Sequence, residues 1–354
     1  MKIEILKIVL NMAAGILLYI SANSVVALES TNELVFLTWS EYLDPEIVEK
    51  FELKHNAKLR LVYFETDDTR DDMLLDSQGE GYDLVLIPGS KMYLYQKKKW
   101  LAPVTLKQVA NIKNVEPKWL NAFEGVKGYA VPYFWGTLGI AYRKDLVGYE
   151  ITSWKQIMAP LPNLKNKILM IKTTDDVMGM ALKSLNYSLN SENPQEYKEV
   201  ESLLLKQKSS VKDYSSLVLN EDSTLVKGDV YAAMAYSGDA LVLKELNSDI
   251  EYVLPVEGGG LWVDYIAVMQ KSGNKELAYK FLNFLNEAEN AAQNAEFVYY
   301  PSPNAEAKKL LPREFLDNRM IYPDQKTLDS SEFYGKLPAR ITKLRNNIFT
   351  RVIR

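Results

Sequence analysis

Residues 34–64 read LVFLTWSEYLDPEIVEKFELKHNAKLRLVYF, and this stretch decides the fold. Its two ends, Leu34–Leu37 and Leu59–Phe64, are rich in the aliphatic, β-branched and aromatic residues that favour strands. Between them an aspartate–proline pair at 44–45 is followed by an apolar stripe, which predicts a capped helix with proline in its first turn. A strand, a helix and a second strand in this order predict an α/β protein whose parallel or mixed sheet is covered on both faces.

The same alternation continues along the rest of the chain. The further predicted elements are a polar helix over Asp68–Gln78, a buried strand over Tyr82–Ile87, a helix over Lys91–Trp100, strands over Ile168–Ile171 and Asp229–Ala235, and helices over Val177–Leu185 and Asn274–Asn286. The chain has 354 residues, more than the size at which a single core usually stops growing, so two lobes are expected. The sequence has no linker rich in proline or serine, and we therefore expect ordered strands to join the lobes.

The amino terminus has the pattern of a secretory signal peptide. Lys2 and Lys7 lie before an apolar run over residues 8–20, and small residues end at Ala27, after which cleavage is expected. A membrane anchor is the alternative, but the apolar run is shorter than the ~20 residues that a spanning helix needs. The sequence has no cysteine for lipid attachment. We therefore expect a periplasmic protein, exported by a cleavable signal peptide over residues 1–27 and without a lipid anchor.

The composition argues against several functional classes. The chain has no cysteine and one histidine, His55, which we expect in a solvated turn, so catalytic triads, zinc sites and most acid–base relays lack their residues. A formal net charge of -4 gives no basic field for nucleic acid. Gly258–Gly260 lacks the lysine of a phosphate-binding loop, and we interpret it as a hinge or turn. We expect no enzyme, no cofactor and no metal, although paired carboxylates leave a glycosidase open.

Four short segments bring aromatic residues and carboxylates to loops and strand ends. They are WSEY at 39–42, YSGD at 236–239, WVD at 262–264 and YYPSPN at 299–304. Side chains two apart on a strand share a face, so Trp262 and Asp264 are expected on one wall. An ammonium ion taken out of water needs carboxylates, and aromatic faces accept both the cation and its methylenes. Core packing or a surface turn is the simpler explanation of any one segment, whereas the four together closely match one known pattern.

From about Leu34 to Tyr334 the chain resembles the periplasmic spermidine/putrescine-binding proteins. The motifs that carry the resemblance are TWSEY at 38–42, YDLV at 82–85, PYFWG at 132–136, YSGD at 236–239, EGG at 257–259 with WVD at 262–264, and YPSPN at 300–304. The resemblance implies an α/β, two-lobed periplasmic binding protein fold of type II, with the ligand in the cleft between the lobes. The expected lobes are residues 28–138 with 262–308 and residues 139–261 with 309–354, joined by strands near 135–140 and 260–264 and by a third crossing after residue 304.

The resemblance also implies which residues line the cleft. The expected ligand-binding residues are Trp39, Ser40, Tyr42, Ser90, Asp176, Tyr236, Asp239, Trp262, Asp264 and Tyr300. Among them Asp264 is implied as the principal ammonium acceptor, and the aromatic members as walls around the methylenes. The chain departs from the family pattern at Ile87–Lys91, at Thr173 and at Tyr334, and these departures bear on the length and class of the ligand.

Three functions from different classes follow from these residues. The first is capture of a polyamine, a putrescine- or spermidine-like cation, for delivery to an inner-membrane ABC permease. The second is a polyamine sensor subunit that reports to a membrane signalling protein, with the same ligand and the same lobe closure. The third is a carbohydrate-binding or glycoside-cleaving protein, because aromatic residues with carboxylates also suit sugars. The salt dependence of the affinity distinguishes a polyamine ligand from a sugar ligand, since only a charged ligand should bind more weakly as the salt concentration rises.

Overall fold

The computed structural model describes residues 32–354. The predicted signal peptide over residues 1–27 lies outside the described residues. Within the described part of the chain, no helix is both long and apolar enough to cross a membrane.

The strands are β1 (Glu33–Thr38), β2 (Lys58–Tyr63), β3 (Leu84–Pro88), β4 (Ala130–Arg143), β5 (Ile168–Met170), β6 (Val211–Tyr214), β7 (Ala232–Tyr236), β8 (Ile250–Val253), β9 (Gly260–Val268) and β10 (Glu332–Phe333). The helices are α1 (Pro45–His55), α2 (Asp67–Asp76), α3 (Met92–Lys97), α4 (Pro117–Leu120), α5 (Lys144–Val147), α6 (Lys155–Met158), α7 (Thr174–Ser184), α8 (Pro194–Gln207), α9 (Ser237–Leu246), α10 (Lys275–Leu285), α11 (Ala288–Val298), α12 (Ala305–Lys308), α13 (Arg313–Asp317), α14 (Gln325–Asp329) and α15 (Ala339–Ile353).

The amino-terminal β1–α1–β2 unit forms as its sequence predicts. β1 and β2 pair in parallel from Glu33 opposite Lys58 to Thr38 opposite Tyr63. The Asp44 side chain accepts a hydrogen bond from the backbone N–H of Glu46 and so caps the start of α1. Parallel pairing brings the carboxyl ends of both strands to one edge of the sheet, where a ligand can reach the loops that follow them.

Two long central strands connect the two ends of the sheet, whose order is β2-β1-β3-β9-β4-β7-β5-β6. β4 and β9 are antiparallel, and they pair from Ala130 opposite Ala267 to Leu138 opposite Gly260. From Leu138 onward β4 pairs with β7 along its other edge, and from Ile140 β8 takes the place of β9. β4 therefore runs from the part of the sheet that contains β1–β3 into the part that contains β5–β8.

Buried side chains form two hydrophobic clusters. The first includes Phe36, Phe51 and Phe281 and lies around β1–β3 with α1 and α10. The second includes Trp154 and Tyr197 and is built around β5 with α7, α8 and the last helix, α15. Because α15 packs on α7 and α8, the end of the chain returns to the second cluster.

Some local predictions differ from the structure. His55 is the last residue of α1, and its ring lies 4.7 Å from the Phe51 ring, so the prediction of a solvated turn histidine was wrong. The helix predicted over Lys91–Trp100 is shorter, because a 3-10 turn precedes α3 and Lys99 adopts a left-handed φ of 58° after it. Gly258 has a φ of +80° and a Cβ there would lie 2.0 Å from the Ser330 carbonyl oxygen, so glycine is required at this turn.

Candidate functional site

The site is built from segments that are far apart in sequence. Tyr42 lies in the loop between β1 and α1, and Tyr236 is the last residue of β7. Trp262 and Asp264 are two apart on β9 and share one face of the sheet, as predicted. Tyr300 follows α11 and packs against the same face. Loops and strand ends thus supply the contacting groups, while the sheet positions them.

Trp262 is at the centre of the aromatic wall. Its indole meets the ring of Tyr300 edge-on, with 4.8 Å between the centroids at 82°, and it meets the ring of Tyr236 at 6.2 Å and 85°. Gly136 pairs with Trp262 across the β4–β9 ladder, and a Cβ at Gly136 would lie 2.4 Å from the indole. The indole therefore lies directly over the β4 backbone, a position that only glycine allows.

Asp264 is buried, with 8% of its surface exposed, and it lies next to Tyr42. The Tyr42 hydroxyl donates a hydrogen bond of 3.1 Å to its carboxylate. Burial raises the pKa of Asp264 to about 7, with a further upward contribution from the negative charge of Asp67, while the Tyr42 hydrogen bond and the Arg70 charge act in the opposite direction. An ionised carboxylate at this position lacks the hydration that it would have in water, so a cation that reached it would be strongly favoured.

Asp176 lies in the first turn of α7 and is 4% exposed. Each of its carboxylate oxygens accepts a hydrogen bond from a tyrosine hydroxyl, one from Tyr236 at 2.9 Å and one from Tyr334 at 2.6 Å. Burial raises the pKa of Asp176 to about 6, and the two hydroxyl donors limit the shift. Tyr334 therefore belongs to the site, although the sequence marked it only as a departure from the family pattern.

Asp239 lies in the first turn of α9, where the Tyr300 hydroxyl is 3.4 Å from its carboxylate. Burial raises the pKa of Asp239 to about 6. A Cβ at Gly238 would lie 2.3 Å from the Tyr300 ring, so this glycine lets Tyr300 reach the start of α9. Tyr300 consequently links Asp239 to the Trp262 wall and to the ring of Tyr42, whose centroid is 6.0 Å away.

Asp67 is a further carboxylate near the site that the sequence analysis missed. It is the first residue of α2 and forms an ion pair of 2.5 Å with the buried Arg70. Its negative charge raises the pKa of both Asp264 and Asp176. Its position just after β2 was the signal that could have found it, because the carboxyl ends of the parallel pair β1 and β2 meet at one edge.

Seven of the ten predicted site residues are joined by hydrogen bonds or ring contacts. They are Tyr42, Asp176, Tyr236, Asp239, Trp262, Asp264 and Tyr300. The structure does not join the other three to this group. The half-buried Trp39 packs on Phe64, with 4.3 Å between ring centroids, and the exposed hydroxyls of Ser40 and Ser90 form no hydrogen bond with any residue from 32 to 354.

The site presents negative charge and aromatic surface together. Within residues 32–354, Asp264, Asp176 and Asp239 each accept a hydrogen bond from at least one tyrosine hydroxyl, and none of the three forms an ion pair with lysine, arginine or histidine. No group of three or more acidic or histidine side chains in the same residues has the arrangement of a metal site. The arrangement is suited to an organic cation whose charged ends meet carboxylates and whose apolar stem meets aromatic rings.

Comparisons with known proteins give the same family from sequence and from fold. Residues 46–317 match the family described as bacterial extracellular solute-binding protein. The spermidine/putrescine-binding periplasmic protein of Escherichia coli is 30% identical, over 88% of this chain and 89% of that protein. A norspermidine sensor of Vibrio cholerae is 29% identical, over 93% of this chain and 91% of that protein.

A solved structure has the same architecture. The spermidine/putrescine ABC transporter substrate-binding protein of Streptococcus pneumoniae superimposes with a TM-score of 0.82 at 30% identity, covering 90% of this chain and 98% of that one. The predicted α/β, two-lobed fold is therefore confirmed.

Proposed function

The chain belongs to the bacterial extracellular solute-binding proteins and, among them, to the spermidine/putrescine-binding family; from this membership we propose that it captures a polyamine in the periplasm. The polyamine binds in the cleft between the two lobes. The loaded protein then docks on an inner-membrane ABC permease, which takes up the ligand. The binding protein itself makes and breaks no covalent bond in this cycle.

The observation that carries the proposal is the pairing of Asp264, Asp176 and Asp239 with neutral hydroxyls. A tyrosine donor stabilises a carboxylate by a hydrogen bond and leaves its negative charge uncompensated. Each buried carboxylate therefore retains its attraction for an ammonium group, which gains both a charge and a hydrogen-bond acceptor on binding. The ring of Trp262 contacts the ring of Tyr300, whose hydroxyl bonds Asp239, and both rings offer apolar surface to the methylenes.

The strand pairing supports the proposed division into lobes. We place one lobe at residues 28–138 and 262–308 and the other at residues 139–261 and 309–354, with β4 and β9 as crossings. The change of partner along β4 occurs at Leu138, and β9 begins at Gly260. Closure of the lobes over the cation would exclude water and strengthen each charge contact, and it would create a surface that the permease can recognise.

The positions of the carboxylates also set the selectivity that we propose. Asp264 lies on β9, whereas Asp176 and Asp239 begin two separate helices, so they can take different ammonium groups of one ligand. A di- or triamine should bind more tightly than a monoamine for this reason. Free lysine and arginine should bind poorly, because their carboxylate would meet the same acidic pocket. Lys91, the basic residue that the sequence suggests for that carboxylate, is partly exposed, and its Nζ lies 3.9 Å from the carboxylate of Asp71.

Calorimetric titration of the purified mature chain tests the proposal. Putrescine, spermidine and norspermidine should bind, and butylamine should bind much more weakly than putrescine. Spermidine affinity should also fall as salt rises, because the interaction is between charges. Equal affinity for butylamine and putrescine would contradict the two-ended site, and binding of sugars without salt dependence would favour a carbohydrate-binding protein.

A sensor is the second candidate, because a relative of similar length is named a norspermidine sensor. Ligand binding and lobe closure would be the same, so only the membrane partner distinguishes the two. Uptake of labelled spermidine by cells with and without the gene decides between them. Loss of uptake without the gene supports delivery to a permease, whereas unchanged uptake with a lost cellular response to polyamine supports the sensor.

A further inference from the structure

Asn294 lies on α11 with 2% of its surface exposed, and its one amide group joins two other segments of the site. Its Oδ1 accepts a hydrogen bond of 2.9 Å from the backbone N–H of Asp44, at the end of the loop that carries Tyr42. Its Nδ2 donates a hydrogen bond of 2.8 Å to the hydroxyl oxygen of Tyr133 on β4. Both polar atoms of the amide therefore have a partner in a different segment.

The hydrogen bond from Asn294 to Tyr133 continues to Tyr42, and at each step the donor lies on the side of Asn294. Because the Tyr133 hydroxyl oxygen receives the amide proton of Asn294, its own proton is free to donate, and it does so to the backbone carbonyl of Tyr42 at 2.7 Å. The Tyr42 hydroxyl in turn donates to Asp264 at 3.1 Å. Two hydrogen bonds thus lead from a buried amide on α11 to the backbone carbonyl of Tyr42, and the hydroxyl of the same tyrosine donates a third to the carboxylate of the site.

The neighbouring residue supports the same loop. Gln293 donates from Nε2 to the Asp44 carboxylate at 2.7 Å, so α11 holds both the side chain and the backbone of Asp44. The ring of Tyr133 also meets the ring of Tyr42 edge-on at 5.6 Å. Tyr42 is therefore held on its backbone carbonyl, on its ring and at the end of its loop, and only its hydroxyl faces Asp264.

We propose that Asn294 is a positioning residue of the binding site, which acts through Tyr133 to place the Tyr42 hydroxyl on Asp264. Its amide bonds Asp44 and Tyr133, and it contributes by orientation. Loss of the amide removes the donor to Tyr133 and the acceptor for Asp44 together, so Tyr42 loses two of its supports at once. The consequence for ligand affinity rests on the proposed function, whereas the placement of Tyr42 on Asp264 does not.

Asn294→Leu tests the inference, because leucine has a similar shape and neither donates nor accepts. The matched control is Asn290→Leu on the same helix, since the Asn290 amide is also buried but, within the described part of the chain, bonds only to Phe284 and Glu287. The first readout is the titration of Asp264 in the ligand-free protein, followed by the carbon-13 resonance of its carboxyl group. Loss of a well-placed Tyr42 donor should raise the pKa of Asp264 in Asn294→Leu and leave it unchanged in Asn290→Leu.

The second readout is calorimetric titration with spermidine. Asn294→Leu should weaken binding by about fivefold to tenfold, the range for loss of one hydrogen bond, while Asn290→Leu should bind like wild type. Tyr133→Phe interrupts the same chain with a smaller change, and it should raise the pKa of Asp264 likewise. Adding Asn294→Leu to Tyr133→Phe should then have a smaller effect than Asn294→Leu has alone, because only the support through Asp44 remains to be lost.

The titration of Asp264 decides the outcome. An unchanged Asp264 pKa in both Asn294→Leu and Tyr133→Phe, or an equal shift in Asn290→Leu, overturns the positioning role. Tyr133→Phe alone decides the matter if Asn294→Leu does not fold. Failure of wild type to bind spermidine overturns the proposed function instead, and the titration still decides the role of Asn294.

Discussion

The indole of Trp262 stands edge-on to the ring of Tyr300, with 4.8 Å between the centroids, while its own Nε1 atom is buried without a hydrogen-bond partner among residues 32–354. A core tryptophan usually finds an acceptor for this proton. Trp262 is also only partly buried, in contrast to Trp135, which is 5% exposed and stacks on Trp119 at 4.8 Å. The two tryptophans therefore make a matched pair for separating binding from stability.

We expect Trp262→Ala to lose affinity without a matching loss of stability. Truncation removes a stacking and cation–π surface worth about 0.5 to 2 kcal/mol to the complex. Trp135→Ala should instead cost about 3 to 5 kcal/mol of stability, as for a buried tryptophan. Thermal melting with and without saturating spermidine measures both. A ligand-free Trp262→Ala that melts far below wild type and keeps the full spermidine shift would place Trp262 in the core.

Gly136→Ala should weaken ligand binding, because its new Cβ would lie 2.4 Å from the Trp262 indole. The indole cannot give way freely, since Tyr236 and Tyr300 flank it. Gly273→Ala is the control, as no atom of residues 32–354 outside Gly273 and its two chain neighbours lies within 4 Å of a Cβ there. Spermidine titration of both variants makes the comparison. Affinity equal to wild type in Gly136→Ala would show that the position of the indole is unimportant for binding.

Asp264→Asn should weaken spermidine binding by about tenfold to a hundredfold, the range for an enclosed charge-assisted hydrogen bond. Asp239→Asn should reduce the affinity less, because Asp239 is less buried and its hydrogen bond from the Tyr300 hydroxyl is longer, at 3.4 Å. Calorimetry of the two variants compares them. Intact affinity in Asp264→Asn would refute its role as principal ammonium acceptor.

The same substitution should stabilise the ligand-free protein at pH 8. The folded pKa of Asp264, about 7, lies above the value of about 3.9 in an unfolded chain, so its stabilising contribution is present below pH 4 and lost as pH rises through 7. An asparagine at this position cannot ionise, so the variant does not lose folding stability in this way as the pH rises. The melting temperature of Asp264→Asn should therefore exceed that of wild type at pH 8, and the difference should shrink as the pH falls and vanish below pH 4. A variant that melts lower than wild type at pH 8 contradicts this linkage.

Spermidine affinity should fall as the pH is lowered from 8 to 5. The pKa values of Asp264, at about 7, and of Asp176 and Asp239, at about 6, place all three in the ionised form only above pH 7. Protons then compete with ammonium groups, and binding near pH 6 should release protons. Titrations at pH 6 in two buffers of different ionisation enthalpy measure that release. Equal spermidine affinity at pH 5 and pH 8 would contradict this prediction.

The sequence by itself determined the local elements and most of the site segments. The β1–α1–β2 unit, the Asp44 cap and the shared face of Trp262 and Asp264 follow from periodicity and capping, which depend on residues only a few positions apart. The site segments were recognisable because each contains its chemistry within a few consecutive residues. The resemblance then implied that they meet in one cleft.

Tertiary structure alone decided which side chains touch. Tyr334 reaches Asp176 across 158 positions and Asn294 reaches Tyr133 across 161, contacts that depend on how distant segments pack and not on any local pattern. The strand register places Gly136 opposite Trp262, and packing directs the Trp39 ring onto Phe64. The donors that surround each carboxylate, and hence its pKa, are products of this non-local packing, because burial and partners exist only once the chain has folded.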